Sequence, residues 1–449
     1  MQADLNITPG VGPETDAATT AVEDAERLTP KLRTDHHVWG IYIALLIISV
    51  IELFSASSQE VSPDDIYGPI IRHARFLGIG LLLMLFIQKF HYVYILKAVP
   101  WYLAGSIGAM ILVLVAGVKI NGTMRGLQVG PLTVLPAEFL KLGAALGVAW
   151  ILSRNQMPGK RDVTTKGVVY CTLLILFCCG LLLEQGLTNT LLLMAISLSM
   201  MLIGGVSMKK FGAVLLVYGV LAGGYFALRQ FTKEEGPSQA AIEVARLNQE
   251  EVGESEAIKR MGTWKARFSR HFRLSKYDDE ITDENKQEQL SYIAQAHGGL
   301  FGVGPGNSRE NARLPLAFSD YIYAIVIEEL GLFAGIFLLV CYLWLLARAG
   351  WVATQCKQTF PCLLVIGCAI YIVYQALFHM AIVTGVFPVS GQPLPLISKG
   401  GTSVIVTSIA LGIMLSTCRH AALKDDKEAI RKEIEALPEN MQSDNPSQL

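Results

Sequence analysis

Charge is the scarce ingredient of this chain. Asp, Glu, Lys and Arg make up 17% of its 449 residues, and 37 basic against 38 acidic side chains leave a formal net charge of −1. A chain so nearly neutral is not built to hold a polyanion, which argues against nucleic acid as a partner. Cysteine chemistry is lacking too. The eight cysteines (Cys171, Cys178, Cys179, Cys341, Cys356, Cys362, Cys368, Cys418) form no CxxC pair and lie in or beside apolar runs. This excludes a disulfide framework and a metal site built on them, and leaves them as small buried apolar side chains. The N-terminus has no basic segment leading into an apolar one, so it is not a cleaved signal peptide; residues 1–34 are polar and acidic and are expected to be a disordered cytoplasmic tail. Nucleotide fingerprints are also missing. SKGGTS (398–403) is not GxxxxGK[ST], and GVGPGN (302–307) lacks the third glycine and the βαβ setting of a dinucleotide loop.

Apolar residues are abundant, at 52%, with a mean hydropathy of +0.43. They gather near 38–56, 72–88, 98–118, 136–153, 167–184, 188–206, 211–228, 320–347, 361–386 and 402–418. The pattern predicts an all-α polytopic membrane protein with about ten transmembrane helices. Lys31, Arg33, Lys89, Lys97, Arg154, Lys160, Arg161, Lys166, Lys209, Lys210, Arg348, Lys357 and Arg419 fall on one side if both termini are cytoplasmic. The transmembrane domain is then 35–420, with 230–318 as a large extracytoplasmic loop between the seventh and eighth spans. Residues 421–449 form a cytoplasmic tail in which 422–436 is expected to be a short charged helix.

Charges that interrupt this pattern carry the chemical information. Glu138 and Lys141, in PAEFLKLGAAL, are spaced i, i+3 and can pair on a helix. Glu328 and Glu329 lie well inside DYIYAIVIEELGLF, where a charge faces the bundle interior or a watery cavity; structural ion pairing and ligand contact are both open. Arg75 and Lys119 suit snorkelling to headgroups. Arg72, Arg125 and Lys399 gather at the outer ends of spans and suggest an anionic group held there, Arg matching phosphate by geometry and Lys by charge. Asp320 opens a long apolar run, either as a helix N-cap or as a general base at a cavity mouth. The glycine-rich QAHGGLFGVGPGNSRE (295–310) fits a flexible re-entrant loop or a backbone closing on a headgroup. AIKRMGTWKARFSRHFRLSK (257–276) is patterned as a basic amphipathic helix on the outer membrane surface, facing lipid or a partner protein.

Four stretches occur in a recognisable order: GTMRGLQVGPLTVLPAEFLKL (122–142), IAQAHGGLFGVGPGNS (293–308), LPLAFSDYIYAIVIEELGLFAGIFLL (314–339) and FPVSGQPLPLISKGGTS (387–403). Together they resemble the shape, elongation, division and sporulation (SEDS) proteins, the FtsW/RodA group, over about residues 38–420. The long outer insert and GTWKARF are closer to the FtsW branch.

The resemblance implies a peptidoglycan glycosyltransferase that polymerises lipid II at the outer face of the bacterial inner membrane, at the division septum. Its implied partners are a class B penicillin-binding protein and other division proteins. It places the family's catalytic aspartate at Asp320 and its basic and polar site positions at Arg72, Arg125, Glu138, Lys141, Ser398, Lys399 and Gly400. Cofactors are left open, a divalent cation at the pyrophosphate being one candidate, and no metal ligands are assigned. Two positions depart from the family pattern. The acidic position of its xPDxGT motif is Gly186 in EQGLTN, with Glu184 nearby, and the Tyr of its SYGGSS turn is Lys399. His379, where relatives often carry Asn, fits a packed, hydrogen-bonded side chain. Chemistry outside the cell has no ATP, so the substrate must arrive activated, as a lipid pyrophosphate does. A lipid flippase and a non-catalytic division scaffold are the alternatives.

Overall fold

The computed structural model describes residues 35–56, 68–120, 123–130, 132–157, 160, 162–183, 185–233, 281–282, 285–314, 316–421, 431 and 435. The acidic N-terminal tail, the basic helix expected at 257–276, Glu184 and nearly all of the charged helix expected at 422–436 lie outside the described residues.

Each of the ten apolar segments carries a helix. In chain order these are α1 His36–Ala56, α2 Gly68–Ile87, α3 Tyr92–Ala116, α4 Pro136–Arg154, α5 Thr165–Leu183, α6 Leu187–Ile203 and α7 Met208–Lys233. They are followed by α8 Lys286–Gly298, α9 Ala317–Asp320, α10 Ile322–Leu330, α11 Leu332–Gln355, α12 Thr359–Val383 and α13 Gly401–His420. Seven of the described helices are long and apolar enough to cross a membrane. Helices apolar all round have no solvent face to offer, so burial sorts them by position. The spans of α4 and α12 are 83% and 89% buried and form the centre, whereas those of α2 and α3 are 22% buried and lie at the periphery. The central α12 packs against α4, α6, α11 and α13.

The bundle has two chemically distinct ends. At one, Asp35 accepts the backbone N–H groups of His37 and Val38, capping α1, and pairs with Arg348 Nε at 2.8 Å. Lys210 pairs there with Asp162 at 2.6 Å, and the His91 and His420 rings lie 5.2 Å apart. At the other end α4 begins and α12 finishes. Nineteen helical residues in α4 separate the two ends by roughly 28 Å at 1.5 Å per residue.

Two expectations are corrected. The chain is not purely α. Between α3 and α4 runs a three-stranded antiparallel sheet, β1 Val118–Ile120, β2 Thr123–Val129 and β3 Leu132–Val134, in the order β1-β2-β3. Lys119 pairs with Met124 and Leu127 with Val134, and Gly130 (φ +62°) turns the chain between β2 and β3. The 320–347 segment is not one span, because the helix breaks at Tyr321 and again at Gly331. Gly331 has φ +84°, and a Cβ on it would run into the Leu300 carbonyl. Only glycine takes both that angle and that contact cheaply.

The cause of the second break is the glycine-rich stretch. Val303 N–H donates to Glu328 O and Gly304 N–H to Glu329 O, both at 2.9 Å, and Leu332 N–H donates to Gly299 O at 3.0 Å. The Glu328 carboxylate accepts Ser308 Oγ at 2.5 Å and Arg309 N at 3.1 Å; Glu329 accepts Gly306 N at 3.1 Å and also Ser55 Oγ. Residues 298–310 are thus a clasp on the end of α10. Both glutamates are buried and held by hydrogen-bond donors more than by ion pairs. Glu328→Ala should lower stability by about 1–3 kcal/mol, since the buried Glu310 N–H and the half-buried Ser308 hydroxyl lose their acceptor. Thermal unfolding of the detergent-solubilised protein checks this; an unchanged midpoint would rule the clasp out as a stabilising element.

Candidate active site

The end of the bundle where α4 begins and α12 finishes holds a cavity of roughly 350 Å³. Its wall comes from separate elements: Arg125 from β2, Glu138 from the first turn of α4, Asn189 from α6, Gln287 from α8, Asp320 from α9, and residues 389–393 from the segment between α12 and α13.

Asp320 is set by the shape of α9. Leu316 takes a left-handed conformation (φ +59°), and its carbonyl accepts Asp320 N–H at 2.9 Å. The segment ahead of α13 fastens this turn at two points. Ser398 Oγ donates to Ser319 O at 2.7 Å, and Lys399 N–H donates to Phe318 O at 2.9 Å. Asp320 is therefore the last residue of α9 and not an N-cap, the cap position of α10 being Tyr321 with no side-chain cap bond. Its carboxylate lines the cavity and accepts Ser319 Oγ at 2.7 Å. Across from it, a Cβ on Gly391 would stand 2.5 Å from Asp320 Oδ2, so glycine there makes room for the carboxylate. Burial raises the Asp320 carboxyl above the usual carboxylate range, while the Ser319 hydrogen bond and the Arg125 charge partly restore it.

Arg125 Nε donates to Gln185 O at 3.2 Å, which steers the guanidinium along the cavity wall. Gly186 lies beside it: a Cβ there would be 3.9 Å from Arg125 Nη2. Glu138 and Lys141 do pair, at 2.8 Å, with the lysine side chain fully buried. Lys141 Nζ also donates to Gln392 Oε1 at 3.3 Å, and Tyr371 OH to Glu138 Oε2 at 3.1 Å.

Asp320, Arg125 and Glu138 therefore meet at one cavity, with Lys141 behind it. Other expected site residues stand elsewhere. Arg72 is exposed on α2. Lys399 Nζ lies 4.9 Å from the centre of the Phe318 ring, outside the lining. Ser398 is buried in the fastening just described, and Gly400 is the N-cap of α13. Glu328 and Glu329 belong to the clasp. His379 is buried, with Nδ1 2.6 Å from Gln392 O. Among the described residues no group of three or more His, Cys, Asp and Glu side chains could hold a metal ion. Gln185, Asn189, Gly391 and Gln392 all line the cavity and were not foreseen. The one signal for the last two was their place in the FPVSGQPLPL stretch.

Fold and site together define a helical, multi-pass membrane protein with an acid–base and cationic cavity at one end of its bundle. The profile of the FtsW, RodA and SpoVE family, described as "Cell cycle protein", matches residues 35–423. The chain belongs to that family. It is 28% identical over 393 residues to the probable peptidoglycan glycosyltransferase FtsW of Coxiella burnetii, covering 85% of this chain and 95% of the relative. It is 25% identical over 413 residues to stage V sporulation protein E of Bacillus subtilis, covering 88% and 99%. Among solved structures, the rod shape determining protein RodA of Thermus thermophilus superposes with a TM-score of 0.57 at 23% identity, over 87% of this chain and 98% of that one. A chain from "Structural coordination of polymerization and crosslinking by a peptidoglycan synthase complex" gives 0.59 at 24%, over 86% and 98%. These two likenesses concern the fold.

Removing one member of a buried ion pair costs about 3–5 kcal/mol, because the other charge is stranded, whereas replacing both with apolar groups is often neutral. Glu138→Ala should therefore destabilise the protein strongly, and the Glu138→Ala/Lys141→Met pair should recover most of the loss. Thermal unfolding of the three variants checks this; additive losses would contradict it.

Proposed function

We propose that this protein polymerises lipid II, a disaccharide-pentapeptide on an undecaprenyl pyrophosphate, into glycan strands on the outer face of the bacterial inner membrane during cell division. The observation that carries the reading is that a half-buried carboxylate, Asp320, and the guanidinium of Arg125 line one cavity, at the end of the bundle away from its Lys/Arg-bearing loops. By the positive-inside rule those loops face the cytoplasm. Ten spans with both termini inside and 230–318 outside follow from that orientation. The similarity to named glycosyltransferases over most of both chains supports the activity. The synthase-complex relative, which couples polymerisation to crosslinking, supports a class B penicillin-binding protein as partner.

In this mechanism Asp320 takes the proton of the acceptor sugar hydroxyl as its oxygen attacks the anomeric carbon of the donor. The bond to the lipid pyrophosphate breaks, and Arg125 stabilises the leaving charge where it develops. Attack opposite the leaving group turns an α-linked donor into a β-linked strand. A divalent cation on the pyrophosphate would share that charge. Arg72 and Lys399, outside the cavity lining, suit the headgroup path to it better than the reacting centre.

The test is glycan synthesis from lipid II by the purified protein with its transpeptidase partner. Asp320→Asn should reduce the rate by about two to four orders of magnitude, the share of a single general base; normal polymerisation would overturn the assignment. Gly391→Ala should impair the rate as well, by pushing on Asp320 Oδ2. No polymer from the wild-type complex, with lipid translocation intact in vesicles, would favour a flippase.

The pH dependence has a definite sign. The base works ionised and burial raises its pKa, so kcat should fall on acidification at a pH above the ordinary aspartate range. Ser319→Ala removes a hydrogen bond that favours the ionised form and should move this acid limb further up. A downward shift would contradict the role given to Ser319.

A further inference from the structure

Four polar side chains form a chain that leads from the ion pair to the cavity wall. Lys141 Nζ donates to Gln392 Oε1 at 3.3 Å, and Gln392 Nε2 donates to Asn189 Oδ1 at 3.1 Å. Lys141 is itself held by Glu138 at 2.8 Å. The direction of this chain is forced by chemistry. An ammonium group only donates, so the end of Gln392 that meets it must be the carbonyl oxygen. The amino end of Gln392 then faces Asn189 and can only be met by an oxygen. The half-buried Asn189 is left with its Nδ2 amino group turned from Gln392, on a side chain that lines the cavity. No such constraint acts on an isolated asparagine, whose two ends are interchangeable by a flip. Here a buried lysine two links away fixes them.

We propose that Asn189 is a specificity-determining residue whose Nδ2 group donates a hydrogen bond to the carbonyl oxygen of an acetamido group on a substrate sugar. The proposal rests on the reading of this cavity as a sugar-lipid site. The wall offers cation and anion for the reacting groups through Arg125 and Asp320. A neutral, oriented donor is what a neutral carbonyl requires, and it discriminates against a sugar carrying a free amine in its place. Gln392 is then a positioning residue: both ends of its amide are taken up by Lys141 and Asn189, and it acts by setting which end of Asn189 faces inward.

The experiment compares lipid II with its de-N-acetylated form. It measures equilibrium binding of each lipid to the full chain in complex with its transpeptidase partner, and KM and kcat for polymerisation. Asn189→Ala should weaken binding and raise KM for the acetylated lipid by about three- to tenfold, the effect of one neutral hydrogen bond, with kcat changed less. It should have no effect on the de-N-acetylated lipid, which wild type should already bind more weakly by a similar factor. Gln392→Glu keeps Asn189 but presents it with an acceptor, so the amide turns round; the same loss should follow. Asn189→Asp is nearly isosteric and keeps an acceptor for Gln392 Nε2, so it serves if the alanine variant does not fold, and should show the same selective loss.

Equal losses on both lipids, or undiminished binding in the Asn189 variants, would overturn the proposal. If wild type polymerises lipid II without such dependence, the inference falls and the glycosyltransferase reading stands. If wild type binds with the acetamido preference but makes no polymer, the reverse holds. Absence of binding to either lipid overturns both.

Discussion

The Glu138–Lys141 ion pair at the start of α4 ties together the parts of the bundle that surround the cavity. A lysine with no exposed surface inside a membrane bundle is tolerable only if its charge is matched and its protons are taken up. Glu138 supplies the charge and Gln392 a further acceptor, while Tyr371 occupies the second oxygen of Glu138. One lysine thereby joins α4, the middle of α12 and the segment that leads into α13. Shifting any of these would strand a buried charge. Glu138 lines the cavity and Lys141 stands behind it, so the same constraint that fixes the packing fixes part of the wall that Asp320 and Arg125 share.

A second fastening acts on the other side of the cavity. The segment between α12 and α13 holds α9 through Ser398 and Lys399 N–H, and α9 carries Asp320. Immediately after α9, α10 ends in Glu328 and Glu329, gripped by the glycine-rich clasp. The Asp320 carboxylate thus stands on a single helical turn with both flanks tied by hydrogen bonds. Short elements have little stability of their own, and here position comes from those ties. The left-handed Leu316 and the bare Gly391 belong to the same arrangement, one bending the chain into α9 and the other leaving space for its carboxylate.

Much of this was legible in the sequence, and what was not has physical reasons. The helices follow from apolar length, and the i, i+3 spacing of Glu138 and Lys141 announced their pairing. Asp320 and Arg125 stood out as charges at span ends. The sheet at 118–134 did not, because thirteen strand residues between two long apolar runs are easily absorbed into a loop; the short alternation Leu127-Gln128-Val129 and the turn at Gly130 were the available signals. The break at Gly331 was hidden because the residues on both sides are equally apolar, and only the distant glycines at 298–304 explain it. Neutral cavity residues such as Asn189 and Gln392 escaped notice because their importance lies in who orients them. Arg72 and Lys399 drew attention by their charge and by the family pattern, yet the geometry lines the cavity with neither.

The central claim is that a lipid-linked sugar occupies the cavity next to Asp320. Site-specific photocrosslinking with radiolabelled lipid II tests it most directly, comparing a benzophenone side chain at Val389, in the cavity lining, with one at Leu82, 67% exposed on α2. Capture is expected at position 389, displaced by unlabelled substrate and left intact by Asp320→Asn, since a general base is not required for binding. Capture confined to position 82, or capture at 389 that unlabelled lipid does not displace, would contradict it.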